Sequence, residues 1–160
     1  MTAEELESIV DYLAETPAAL ERLIDGLGDE ERRFRPDGAE FSVLENVCHL
    51  LDIEREGYAV RINRLLGEDN PVLEDIDGSR LARERSYNTQ DIQTALEAFK
   101  STRSDNVRIL RSLDGDQRER GGVLETVGPI TLSALLCMMR EHDASHRKDI
   151  LELRDHFAKA

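Results

Sequence analysis

Apolar residues recur along this chain with the period of a helix. Between Thr2 and Leu27 they fall at Leu6, Ile9, Val10, Leu13, Leu20, Leu23, Ile24 and Leu27, which places them on one helical stripe. Thr2 followed by Glu5 fits a capping box. Thr16-Pro17 interrupts the stripe, and that pair suits the start of a helix. The pattern predicts a short lead-in helix, a bend at Thr16, and a helix from Pro17 ended by Gly26 and Gly28. A polar connection over 28–41 follows, with Arg35-Pro36-Asp37-Gly38 as its turn signal.

A second helix starts at Ser42, with Glu45 completing another capping box and Phe41 placed for a hydrophobic staple. Its stripe runs through Leu44, Val47, Cys48, Leu51, Tyr58, Ile62 and Leu65-Leu66 to Gly67. The link from Gly67 to about Asn88 is longer than helix connections usually are. It is long enough to return the chain to the opposite end of a bundle. A third helix is predicted from about Thr89 to Leu113, with Ile92, Leu96, Phe99, Val107, Leu110 and Leu113 inward and Asp114-Gly115 as the stop. Arg120 to Pro129 reads as a short irregular or extended connection. A fourth helix runs from near Thr131 to about Phe157, carrying Leu132, Leu135, Leu136, Met138, Met139, Ile150 and Leu153. Four amphipathic helices in 160 residues predict an all-α protein, one four-helix-bundle domain over 1–160.

Composition supports helices and narrows the partners. Charged residues make up 34% of the chain and hydrophobic residues 39%, a mixture suited to helices with one solvated face. Trp is absent and aromatics are 4%, which argues against a sheet. A net charge of −13 with no basic stripe excludes nucleic acid as a partner and disfavours an anionic membrane. No apolar run approaches the ~20 residues of a bilayer span. The start, MTAEELESIV, lacks a signal-peptide pattern, and the two cysteines, Cys48 and Cys137, have no CxxC spacing. A reduced, cytoplasmic protein is expected, with both cysteines as small apolar filler.

The chemistry concentrates in Glu141-His142-Asp143-Ala144-Ser145-His146. His142 and His146 lie at i and i+4, on one helical face, where two imidazoles can share one metal ion. Spacing alone leaves a second reading open, two half-exposed histidines on a helix shoulder. His49, near the apolar stripe of the second helix, adds a third imidazole, although a lone histidine there also suits a satisfied core residue. Three imidazoles leave a fourth position for water or a thiol, as in a catalytic rather than a structural site. His156 lies ten residues beyond His146, about 15 Å along the axis, and reads as a surface residue. Asp52, Glu45 and Asp143 are candidates to receive the histidines' other N–H groups. Glu45 is already explained by its cap, Asp143 is expected to face water or a neighbouring helix, and Glu141, on the opposite flank of His142, is a candidate general base.

Three stretches together resemble the DinB/YfiT-like family of metal-dependent enzymes. They are Phe41-Ser42-Val43-Leu44-Glu45-Asn46-Val47-Cys48-His49-Leu50 with Asp52 and Glu54, Gly128-Pro129-Ile130-Thr131-Leu132 through Leu136, and Glu141 to His146. Phe41 stands where the family usually shows Trp. The resemblance implies an up-down-down-up bundle, which the long crossover between helices two and three fits. It implies a divalent metal, nickel or zinc, on His49, His142 and His146. It also implies a homodimer and a small-molecule reaction, with thiol-dependent transfer or isomerisation and hydrolysis as candidate types. The thiol-dependent types add a low-molecular-weight thiol as a second cofactor. The rival reading is a non-catalytic metal-binding stress-response or interaction module.

Overall fold

A computed structural model describes residues 1–36 and 41–158. The predicted turn at Arg35-Pro36-Asp37-Gly38 runs outside the described residues at Asp37 and Gly38. The first helix, α1 (Ala3–Ile24), has its predicted cap: Thr2 Oγ1 accepts from the Glu5 N–H at 3.1 Å, and Glu5 returns a bond to the Thr2 N–H. It does not break at Thr16. Pro17 lies inside it, buried, and cannot donate to the Leu13 carbonyl one turn back. That carbonyl accepts from Arg103 Nη1 instead, at 2.9 Å, so the helix continues without stranding a buried acceptor.

A short helix, α2 (Asp29–Arg33), occupies the first connection. The second bundle helix is three pieces in one rod: α3 (Val43–Asp52), a π-helical turn (Ile53–Tyr58) and α4 (Ala59–Gly67). The crossover carries strand β1 (Val72–Leu73), helix α5 (Gly78–Glu84) and a 3-10 turn at Tyr87–Thr89. The third bundle helix, α6 (Ile92–Arg111), starts later than predicted because Asp91 takes the cap, accepting from the Thr94 N–H at 2.8 Å. After α7 (Gly115–Arg118) come β2 (Gly121–Leu124) and β3 (Gly128–Thr131), and then α8 (Leu132–Ala158).

Side-chain pairs give the helix directions. Glu15 meets Arg147, and the Arg22 carbonyl meets Arg154, so α1 and α8 run parallel. Asp11 pairs with Arg111, and Glu21 with Lys100, so α6 runs against α1. Asn46 meets His146, and His49 meets His142, so α3 runs against α8. The order is up-down-down-up, as expected.

The strands correct the reading that argued against any sheet. β2 pairs antiparallel with β3 and parallel with β1. Composition argues only against large sheets; these short strands form where two connections meet. Gly122 makes the approach possible: a Cβ there would sit 2.8 Å from Leu65 Cδ2 and 2.9 Å from the Pro71 carbonyl oxygen. Among the described residues, no helix is long and apolar enough to cross a membrane.

The apolar interior forms two clusters along the bundle. One holds Leu13, Ile53, Tyr58, Val107 and Met139; the other holds Leu20, Leu50, Phe99 and Ile150. The break between them falls at the same level on all four helices. Buried polar residues fill that level: Glu54, Arg103, Asn106 and Asp143.

Candidate metal centre

Two antiparallel helices carry the three histidines to one level. His49 sits in α3, two turns beyond the Ser42 cap. That cap holds well: Glu45 N–H donates to Ser42 Oγ at 3.2 Å, Ser42 N–H donates to Glu45 Oε2 at 2.8 Å, and Arg35 pairs with the same carboxylate. Glu45 is therefore a capping residue. His142 and His146 project from one face of α8, their ring centroids 4.5 Å apart. Across the helices, His49 Nε2 lies 3.0 Å from His142 Nε2. One donor nitrogen from each ring lies within 4.8 Å of the other two.

Tetrahedral coordination at ~2.0–2.1 Å puts ligand nitrogens about 3.3 Å apart. The His49–His142 separation is already near that value, and the other donor nitrogens lie within 4.8 Å. Protonation also suits a metal. Burial lowers the His49 imidazole to about 3, helped by the charge of His146. Burial likewise lowers His142 to about 2, with His146 and His49 adding to the effect. Both rings are thus neutral near pH 7, with lone pairs available. At the third ring, His146 Nδ1 lies 2.7 Å from Asn46 Oδ1. Asn46 Nδ2 donates to the Ser42 carbonyl, which leaves the amide oxygen to accept from His146. The proton is then on Nδ1, and the ring's acceptor lone pair is on Nε2. The residues fit a divalent ion.

Aromatic rings enclose the site. Phe41 lies 5.2 Å from the His49 ring and 6.4 Å from the His146 ring, and Tyr58 meets the edge of His142 at 5.8 Å. Phe41 is not a staple: the residue it would meet in the first turn is Asn46, which is polar and bound to His146. From the crossover, Gly78 presses on His49. A Cβ at Gly78 would sit 2.3 Å from His49 Cε1 and 2.7 Å from Nδ1.

Other predicted residues lie elsewhere. Asp52 does not support a histidine. It accepts from Arg55, Arg85 and Tyr87, beside a separate cleft of about 310 Å³. Among the described residues, His49 Nδ1 is buried with no hydrogen-bond partner. Of the two settings expected for Asp143, it takes the neighbouring helix and not water: it is fully buried against Arg103 of α6. Glu141 is exposed. Cys48 is core filler whose thiol burial pushes up to about 12. Cys137 is exposed, not filler, because it falls on the outer side of α8. His156 is exposed, as expected, and stacks on Phe34.

The apolar pattern does not mark Asn46 as a site residue and marks Tyr58 only as part of the stripe. Asn46 had a signal: a polar residue three before His49, on the same face of the helix.

A bundle of this order with a three-histidine cluster defines a class, and the comparisons agree with it. The family model of the DinB superfamily matches residues 12–150, and the chain belongs to that superfamily. Its fold is similar to that of YfiT from Bacillus subtilis, with a TM-score of 0.92 and 24% identity over 99% of this chain and 90% of that one. That protein is described as "a probable metal-dependent hydrolase with an unusual four-helix bundle topology". No curated protein matches the chain.

Proposed function

We propose that this chain is a metal-dependent enzyme that holds one divalent ion, zinc or nickel, on His49, His142 and His146. Convergence carries the reading: three imidazole donors lie within 4.8 Å, and no fourth His, Cys, Asp or Glu joins them among the described residues. Three protein donors with a position left for water or substrate is the pattern of catalytic sites. A bound divalent ion supplies Lewis acidity and activates a small protic nucleophile near neutral pH. The chain's own residues do the rest. Burial keeps His49 and His142 uncharged, Asn46 holds the His146 proton at Nδ1, and the Phe41 and Tyr58 rings keep water from two sides.

Hydrolysis of a small molecule is the reaction that the likeness to YfiT supports. Transfer of a low-molecular-weight thiol to an electrophile follows from the family resemblance. A cytoplasmic homodimer acting on a small-molecule substrate completes the reading.

The test begins with metal analysis of purified and reconstituted protein. The reconstituted protein is then screened with esters, amides and thiol–electrophile pairs, following acid release and loss of free thiol. We expect stoichiometric metal in the wild type, its loss in His146→Ala with helical content retained, and turnover that requires the ion. Absence of stoichiometric metal after reconstitution defeats the reading. If metal removal merely unfolds the chain, the site is structural and the rival module is correct.

A further inference from the structure

The most heavily bonded side chain in the interior is outside the histidine cluster. Arg103 of α6 is 1% exposed, yet each of its five N–H donors has a partner. Nε and Nη2 donate to the two oxygens of Glu54, each at 2.9 Å. Nη1 and Nη2 donate to the two oxygens of Asp143, at 2.5 and 3.0 Å. The remaining Nη1 proton goes to the Leu13 carbonyl that Pro17 leaves open. Asn106 adds a bond to Glu54 at 2.7 Å, and the guanidinium lies 4.7 Å over the Phe99 ring. One side chain thus joins α1, the π-helical turn, α6 and α8.

We propose that Arg103 is a positioning residue for the histidine centre. Asp143 directly follows His142, and Glu54 stands in the turn that follows His49 on its helix. Gripping both carboxylates in two-pronged fashion sets the rotation of α8 and its distance from the second helix. Those are the two quantities that bring His142 and His146 to His49. Metal coordination at ~2.0–2.1 Å tolerates little slack, about 0.5 Å in ligand placement.

Energetics favour position over stability as the role. A buried ionic cluster is often no more stable than apolar residues of the same volume, because desolvation offsets the attraction. The inference rests on the reading that the three histidines hold a metal.

The test compares metal-free wild type with Arg103→Lys, Asp143→Asn and Glu54→Gln. Leu6→Ala serves as a core truncation about two turns from Leu13 on α1. Each protein is titrated with zinc against a competing chelator and with cobalt(II) by visible absorption. Thermal unfolding is measured alongside. We expect each hub variant that folds to bind zinc at least tenfold more weakly and to shift the cobalt bands, as for other residues that support metal ligands (~10–100-fold). Leu6→Ala should lose thermal stability while keeping wild-type affinity and spectrum. The inference is overturned if the hub variants keep wild-type affinity, if Leu6→Ala loses as much, or if no hub variant folds, since the role is then structural. Wild-type protein that binds no zinc defeats the metal reading itself, a result seen before any variant is compared.

Discussion

At the scale of single residues, His49 is held by what surrounds it, since its buried Nδ1 has no hydrogen-bond partner among the described residues. The crossover backbone at Gly78 and the Phe41 ring are its walls. Gly78→Ala would place a methyl inside the contact distance of the imidazole, so the ring or the crossover must move. We expect clearly weakened metal binding with little change in helical content; unchanged affinity in a chelator competition would show that the crossover yields instead. Asn46→Ala removes the acceptor that fixes the His146 proton. A loss of about 10–100-fold in metal affinity is expected, and affinity like the wild type's would show that Asn46 does not set the ligating nitrogen.

At the scale of elements, gaps in the apolar stripes carry information. The second helix's stripe jumps from Leu51 to Tyr58, the third's from Phe99 to Val107, and the fourth's from Met139 to Ile150. The missing inward positions are Glu54, Arg103 and Asp143, which meet in one buried cluster. The π-helical turn lies over the first of these gaps. A periodicity search for apolar residues sees the gap but not its filling, because a buried ionic group is inward-facing only when its partners are present.

Pro17 belongs to the same cluster through the Leu13 carbonyl. In an ordinary helix interior, replacing Pro by Ala gains about 3 kcal/mol. Here Arg103 already satisfies the Leu13 carbonyl, so the new N–H would only share an acceptor that is not stranded, and we expect Pro17→Ala to gain well short of that figure in urea unfolding. A gain of the full amount would mean that the Arg103 bond contributes nothing to holding α1.

At the scale of the whole molecule, the histidines link stability to pH. In the unfolded chain an imidazole takes up its proton near 6.5; in the folded chain burial lowers His49 to about 3 and His142 to about 2. The unfolded state therefore binds more protons below pH 6.5, and stability rises with pH in that range. Metal-free protein should keep the full contribution above about pH 6.5 and lose it as pH falls from there toward 2. The urea midpoint measures this, and His142→Gln should flatten the slope. A wild-type slope no steeper than the variant's between pH 7 and 4 would show that the ring is not held neutral.

What the sequence determined by itself was whatever repeats within a helical turn: the four bundle helices, the Thr2 and Ser42 caps, and the shared face of His142 and His146. Those features need only neighbours three or four residues away. His49 was legible as an imidazole beside an apolar stripe and from the family resemblance, but not from spacing, since it meets His142 across 93 residues of chain. Only the tertiary structure decided that Asn46 orients His146, that Gly78 seats on His49, and that Leu13, Glu54 and Asp143 share Arg103. The physical reason is that such contacts depend on each helix's rotation and register against another. Those are settled by packing, and at this level of the bundle by where one buried guanidinium finds its five acceptors.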